Sequence, residues 1–148
     1  GQTEVDLSKK ELGPIDAKLI ARELTTGYVS ASITKLNVLS NSIGTQGGQA
    51  LVDAAPPELQ TFCGLEEGQT EADLSDKRLG PGDAVLLAWE LTTGYVSASL
   101  TNLSLRGNSI GSEGAVAVAK SLEVNASITN LNLRQCGLGK DGAVAVAK

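Results

Sequence analysis

A chain of 148 residues with 41% hydrophobic content has enough apolar side chains to build a core, which excludes a wholly disordered segment. A net charge of −5 argues against nucleic acid as the main partner, and no run reaches the ~20 apolar residues of a membrane-spanning helix. Aromatic residues are only 3% and methionine is absent, so the core must be made of Leu, Ile, Val and Ala.

Taken in order, the chain repeats one pattern, a short strand followed by a helix. In the first unit Val5 and Leu7 alternate as on a strand, Leu12 follows the turn, and a helix is expected over Pro14–Leu24. Pro14 suits the first helical turn, where its missing N–H costs nothing. Ala17, Ile20, Ala21 and Leu24 share one helix face, and Gly27 is a helix stop. The second unit, Ile33–Ala55, has its helix from about Gln46 and loses it at Pro56-Pro57. Residues 56–68 have no counterpart elsewhere in the chain. They read as an irregular, flexible loop with a short extended piece over Leu59–Leu65.

The third unit, TEADLSDKRLGPGDAVLLAWEL from Thr70, restates the first. Residues 1–44 and 68–111 are identical at 31 of 44 positions. The fourth unit, LTNLSLRGNSIGSEGAVAVAKSL, places Leu103, Leu105 and Ile110 before a helix whose Ala115, Val118, Ala119 and Leu122 share a face. The fifth, from Ile128, repeats it 28 residues later. Unit boundaries fall at about 1–32, 33–68, 69–99, 100–127 and 128–148. One strand and one helix cannot enclose a core alone, so such units must stack.

The spacing LxxLxLxxNxIGxxGAxxLAxxL, met almost letter for letter by Leu100–Leu122, resembles the leucine-rich repeat of the ribonuclease-inhibitor type. Repeats of that type also occur in NOD-like receptors and in multi-repeat proteins of algae and protists. The resemblance implies an α/β solenoid of about five repeats, with a parallel sheet on the concave side and helices on the convex side. It also implies a non-catalytic protein-interaction or scaffold module. The second reading is a structural accessory subunit wedged into a large assembly, such as an algal chloroplast or cytoskeletal complex. The chain starts directly on a unit and stops inside a helix. It is therefore expected to be a fragment of a longer array, its open ends covered by further repeats or neighbouring subunits.

Asn41 and Asn108 hold the turn position after the strand, and Cys136 takes it in the fifth unit. Lys10 and Lys77 stand there in units 1 and 3. A lysine accepts no hydrogen bond, so the row of turn asparagines is expected to break at both. Cys63 and Cys136 are the only cysteines and histidine is absent, which reads as buried, reduced thiols without metal. That composition suits an intracellular, reducing compartment, the cytoplasm first and a chloroplast second. Gly137, Gly139 and Gly142 match a dinucleotide-binding GxGxxG, but two of the three are simply the glycines of the repeat. Asn102-Leu-Ser104 and Asn125-Ala-Ser127 match the glycosylation pattern and are likewise accounted for by the repeat. No catalytic constellation or cofactor site is legible.

Two surfaces are the candidate partner sites. The strand positions not needed by the core form a concave strip: Glu4 and Asp6; Lys35, Asn37 and Leu39; Glu71 and Asp73; Asn102 and Arg106; Asn130, Asn132 and Arg134. Residues 1–99 carry 7 basic and 14 acidic groups and residues 100–148 carry 5 and 3, so the strip is expected to run from acidic to basic. On the convex side, Val85, Trp89, Val116 and Val144 stand where unit 1 has charged Lys18 and Arg22. They form an apolar stripe, with Trp89 facing water unless it folds over its own helix or Tyr95.

Overall fold

The computed structural model describes residues 3–26, 32–93, 98–140 and 142. Among them five strands alternate with four helices: β1 (Thr3–Asp6), α1 (Pro14–Thr26), β2 (Ile33–Asn37), α2 (Gly44–Asp53), β3 (Glu71–Asp73), α3 (Pro81–Thr93), β4 (Asn102–Ser104), α4 (Gly111–Leu122) and β5 (Asn130–Asn132). The expected helix of the fifth unit, including Val144, lies largely outside the described residues, as do Gly27 and Tyr95.

All strand pairs are parallel and in register by unit, so that Glu71, Asn102 and Asn130 lie side by side, as do Glu4 and Lys35. The helices pack in chain order, α1 on α2, α2 on α3, and α3 on α4. Leu36, Leu103, Ile43, Ile110, Ala17, Ala84 and Val118 are buried between the two layers. Helix contact is close because small residues face each other. A Cβ on Gly114 would stand 2.9 Å from the Ala84 Cβ, and one on Gly82 would overlap the Gly44 carbonyl oxygen.

The strands do not form one continuous sheet. β1 and β2 make a two-stranded sheet, and β3, β4 and β5 a three-stranded one. What separates them is the segment that the sequence reads as a flexible loop. Gln60 N–H donates to Thr34 O at 2.7 Å, and Leu36 and Val38 N–H donate to Thr61 and Phe62 O at 3.0 Å. Residues 60–62 thereby lie along the free edge of β2. Leu59, Thr61, Phe62, Cys63 and Leu65 are buried. The 56–68 segment is core rather than loose loop, because its apolar residues fill the space the two sheets leave between them.

The turn asparagines hold adjacent units together. Asn108 Oδ1 accepts from Lys77 and Leu79 N–H at 3.1 and 3.0 Å, and its Nδ2 donates to Leu74 and Leu105 O, both at 2.8 Å. Asn41 makes the same four bonds to Lys10, Leu12, Leu7 and Val38. Each asparagine serves the unit before its own, so Lys10 and Lys77 are themselves recipients of the bonds. The row does break where Lys77 faces unit 2, and Asp83 substitutes: Ser40 N–H donates to its Oδ1 at 3.2 Å and Gly80 N–H to its Oδ2 at 2.9 Å. Cys136 reproduces only the donor half, with Sγ donating to Leu105 O at 3.0 Å. Both cysteines are free and buried.

Candidate functional site

On the strand side, the side chains pointing away from the core assemble mostly as the alternation requires. Glu4, Asp6, Glu71, Asp73, Arg106, Asn130 and Arg134 are exposed, and Lys35, Asn37, Asn102 and Asn132 are half-buried. Leu39 is not on this strip: it turns inward and is buried, because the chain is already leaving the strand for the turn of Asn41. Asn130 Nδ2 donates to Asn102 Oδ1 at 2.7 Å, and Asn102 Nδ2 to Glu71 Oε1 at 3.2 Å. The three-stranded sheet thus carries a row of amides on the floor of a groove of about 480 Å³. Asp6 and Asp73 are held below the usual carboxylate range by the Ser8 and Ser75 hydroxyls and N–H groups.

The acidic-to-basic run is interrupted at Lys35, whose Nζ lies 2.5 Å from Glu66 and 3.4 Å from Glu4. Glu66 belongs to the 56–68 segment, a contributor that strand periodicity alone does not reveal. Its hydrogen bond raises the Lys35 pKa above its ordinary value.

On the helix side, Val85, Trp89 and Val116 do come together, joined by Val52 and Ala88, along a groove of about 630 Å³ bounded by α2 and α4. Gln46 and Gln49 edge it on α2, and Glu113 and Lys120 on α4. Trp89 lines this groove, neither set fully in water nor simply laid along its own helix. It is half-buried, with its ring 5.0 Å from Phe62 and inclined at 62°, an edge-to-face contact. The one phenylalanine of the chain, lying inside a segment with no repeat pattern, was the available signal for this contact.

Beneath Trp89, α3 carries a buried acid. Glu90 is 1% exposed, and its Oε1 accepts from Thr61 Oγ at 2.7 Å and from Phe62 N–H at 2.6 Å. Among the described residues its Oε2 has no hydrogen-bond partner within bonding geometry. Burial pushes Glu90 up to about 7 against those hydrogen bonds, and Asp83 likewise to about 7. The Cys63 thiol, desolvated and beside these two acids, is raised well above its ordinary value, which keeps it a neutral, unreactive group.

Two residues of the short motifs make packing or hydrogen-bond contacts. Gly142 is a contact glycine, since a Cβ there would meet the Ala115 Cβ at 3.0 Å. Asn125 Nδ2 donates to Leu91 O at 3.0 Å, and its Oδ1 accepts from Ser127 and Ile128 N–H. Among the described residues, no three His, Cys, Asp or Glu side chains gather as metal ligands, and no helix is long and apolar enough to cross a membrane.

Three segments, residues 29–52, 96–119 and 124–147, match the family model described as Leucine Rich repeat. They fall on units 2, 4 and 5, those with Asn or Cys at the turn. Units 1 and 3, with lysine there and Gly-Pro opening the helix, lie outside the matches, unit 1 ahead of them and unit 3 between the first and the second. No curated protein matches the chain. These three segments are therefore similar to leucine-rich repeats, and the strand–helix units and parallel strands of the structure fit that likeness.

Proposed function

We propose that this leucine-rich repeat chain is a non-catalytic protein-interaction module of the ribonuclease-inhibitor type, and that it grips a protein partner through the helix-side groove of α3. Proteins built on such repeats generally mediate protein–protein contact, and the 28-residue step from Asn102 to its pair Asn130 suits the ribonuclease-inhibitor type. One observation carries the choice of surface. Units 1 and 3 are near-copies, yet Lys18 and Arg22 of unit 1 are replaced by Val85 and Trp89 in unit 3. Both changes remove a charge from an outward helix position, one turn apart, at the place where the groove lies. Partly covered valines and an anchored tryptophan, edged by Gln49, Glu113 and Lys120, are what an interface core and rim require.

Val85→Lys, which writes the unit-1 residue into unit 3, leaves the Trp89–Phe62 contact in place and is expected to keep the fold. A photo-crosslinker at Val116 should capture a defined partner from the source cell, and Val85→Lys should abolish that capture. If the capture survives, the groove is not the site.

The strand side supports a second reading. Glu71, Asp73, Arg106 and Arg134 are exposed along a groove floored by the Asn102–Asn130 row. A partner held there associates more slowly as salt is added, and reversing Arg106 and Arg134 to Glu removes it.

A further inference from the structure

Every residue lining the helix-side groove belongs to α2, α3 or α4. Between the helix ends these walls offer side chains alone, because the backbone N–H and C=O groups behind them are engaged within the helices. An extended segment laid on Val52, Ala88, Trp89 and Val116 would press its main-chain groups against apolar atoms with nothing to bond them. A helix brings its backbone bonds already made. The floor suits one: Val85, Ala88, Trp89 and Thr92 follow one another at i, i+3, i+4 and i+7 on α3, a continuous face about two turns long.

Charge gives this occupant a direction. Glu113 and Lys120 edge the groove on α4, exposed and seven residues apart, about 10 Å along the axis. Neither is in a salt bridge among the described residues. The opposite rim, Gln46 and Gln49, is uncharged. α2 and α3 run the same way, with Gly44 against Gly82 and Gly48 against Val85. β3 and β4, which lead into α3 and α4, are parallel. A helix laid alongside is favoured when it runs the opposite way, so that its macrodipole opposes theirs. Its first turns then lie near Lys120 and its later turns near Glu113. An acid early in that helix and a base seven residues later answer both rim charges, and the same order suits the helix's own dipole.

We propose that the groove, taken as the interface of the proposed function, receives one amphipathic helix of the partner, antiparallel to α3. Its apolar stripe repeats at i, i+3 or i+4, and i+7 over Val85, Trp89 and Val116. Its Asp or Glu faces Lys120, and its Lys or Arg, seven residues later, faces Glu113.

The test uses a displayed library of random peptides without tryptophan, about sixteen residues long, roughly four turns if helical. It is selected on the full chain and counter-selected on Val85→Lys. Recovered peptides should carry the apolar spacing and the acid-before-base order. Trp89 is the only tryptophan of the chain, so its emission reports their binding directly, moving to the blue as the indole is covered. Glu113→Lys combined with Lys120→Glu should weaken those peptides about tenfold, and exchanging the acid and base within a peptide should restore its affinity. That rescue separates a charge contact from a loss of stability, since a partly unfolded chain would not tell the two peptides apart. Val85-dependent peptides that alternate apolar and polar residues, or carry proline within the contact, overturn the helix and leave the groove standing as the interface. So does a charge order that the double variant fails to reverse. A library without any peptide that Val85→Lys removes also overturns the helix, and the Val116 capture then judges the groove by itself. A chain that dimerises in ultracentrifugation and becomes monomeric with Val85→Lys gives the groove to a second copy, which overturns the proposal too.

Discussion

Glu90 accepts the backbone N–H of Phe62 at 2.6 Å, and through that bond α3 holds the 56–68 segment against its own root. Glu23, the same residue in the duplicated unit, is exposed. The difference is the presence of the segment. A carboxylate with one oxygen satisfied and the other buried without a partner is an expensive fastener when charged, because the unpaired oxygen loses its water.

Stability should therefore depend on pH with a definite sign. Glu90 and Asp83 are raised to about 7 from ordinary values of 4.5 and 3.8, so between these values the folded chain holds protons that the unfolded chain has released. Each contribution is fully present below about pH 4, is lost as pH rises toward 7, and is constant above it. Glu90→Gln keeps an oxygen for Thr61 and Phe62 and cannot ionise. Urea unfolding at pH 5 and pH 8 should show the wild type weaker at pH 8 and Glu90→Gln weakened less, by roughly 1–3 kcal/mol. Identical pH slopes in the two proteins would refute the assignment.

Phe62 is the largest fully buried side chain among the described residues and makes an edge-to-face contact with Trp89. Phe62→Ala should cost about 3–5 kcal/mol, as truncation of a core aromatic does. It should also shift Trp89 fluorescence to the red as the indole meets water. A variant that is destabilised with unchanged Trp89 emission would place the cavity elsewhere.

Asn108→Ala leaves two N–H groups, that of Leu79 buried, and two carbonyls without their shared partner and should cost at least ~2 kcal/mol. Asn108→Cys should cost less, since a thiol at this position of unit 5 still donates to a carbonyl, as Cys136 does to Leu105. Asn41→Ala should follow Asn108→Ala, because the same four bonds are lost. Chemical denaturation of the three variants orders them.

These relationships differ in how far the sequence discloses them. The units themselves are legible because Leu103, Leu105, Ile110, Ala115 and Val118 carry both strand and helix periodicity. The turn asparagine is legible as a residue type, but its direction is not. Nothing in Asn108 says that it serves Lys77 and Leu79 of the unit before, so the Lys77 gap looked unfilled. Asp83, which fills it, reads as an ordinary acid in a first helical turn. The 56–68 segment is legible in part: the expected extended piece over Leu59–Leu65 lies along β2, and Leu59, Thr61, Cys63 and Leu65 alternate inward, but Phe62 between them is buried as well, which alternation does not disclose. The α3 groove was half legible. Val85, Trp89 and Val116 follow from helix spacing, whereas Val52 joins only through the packing of α2 on α3.

That packing has a sharp steric test at Gly82. A Cβ there would overlap the carbonyl oxygen of Gly44 and crowd the Ile43 side chain. The oxygen is backbone at the start of α2 and cannot rotate away, so α2 must move. Gly82→Ala should lower stability by about 1–3 kcal/mol, the usual range for overpacking, despite the better helix propensity of alanine. Gly80, two residues earlier, has open space around its Cβ direction, and Gly80→Ala should stay within about 0.5 kcal/mol. Ile15→Ala, at the position of Gly82 in unit 1, removes an exposed side chain and should also be nearly neutral in the isolated chain. Because α2 forms one wall of the α3 groove, Gly82→Ala should additionally loosen partner capture at Val116 more than its stability loss explains. If Gly82→Ala melts with the wild type, α2 and α3 do not meet as closely as the Gly44 contact requires, and the groove they bound loses its wall.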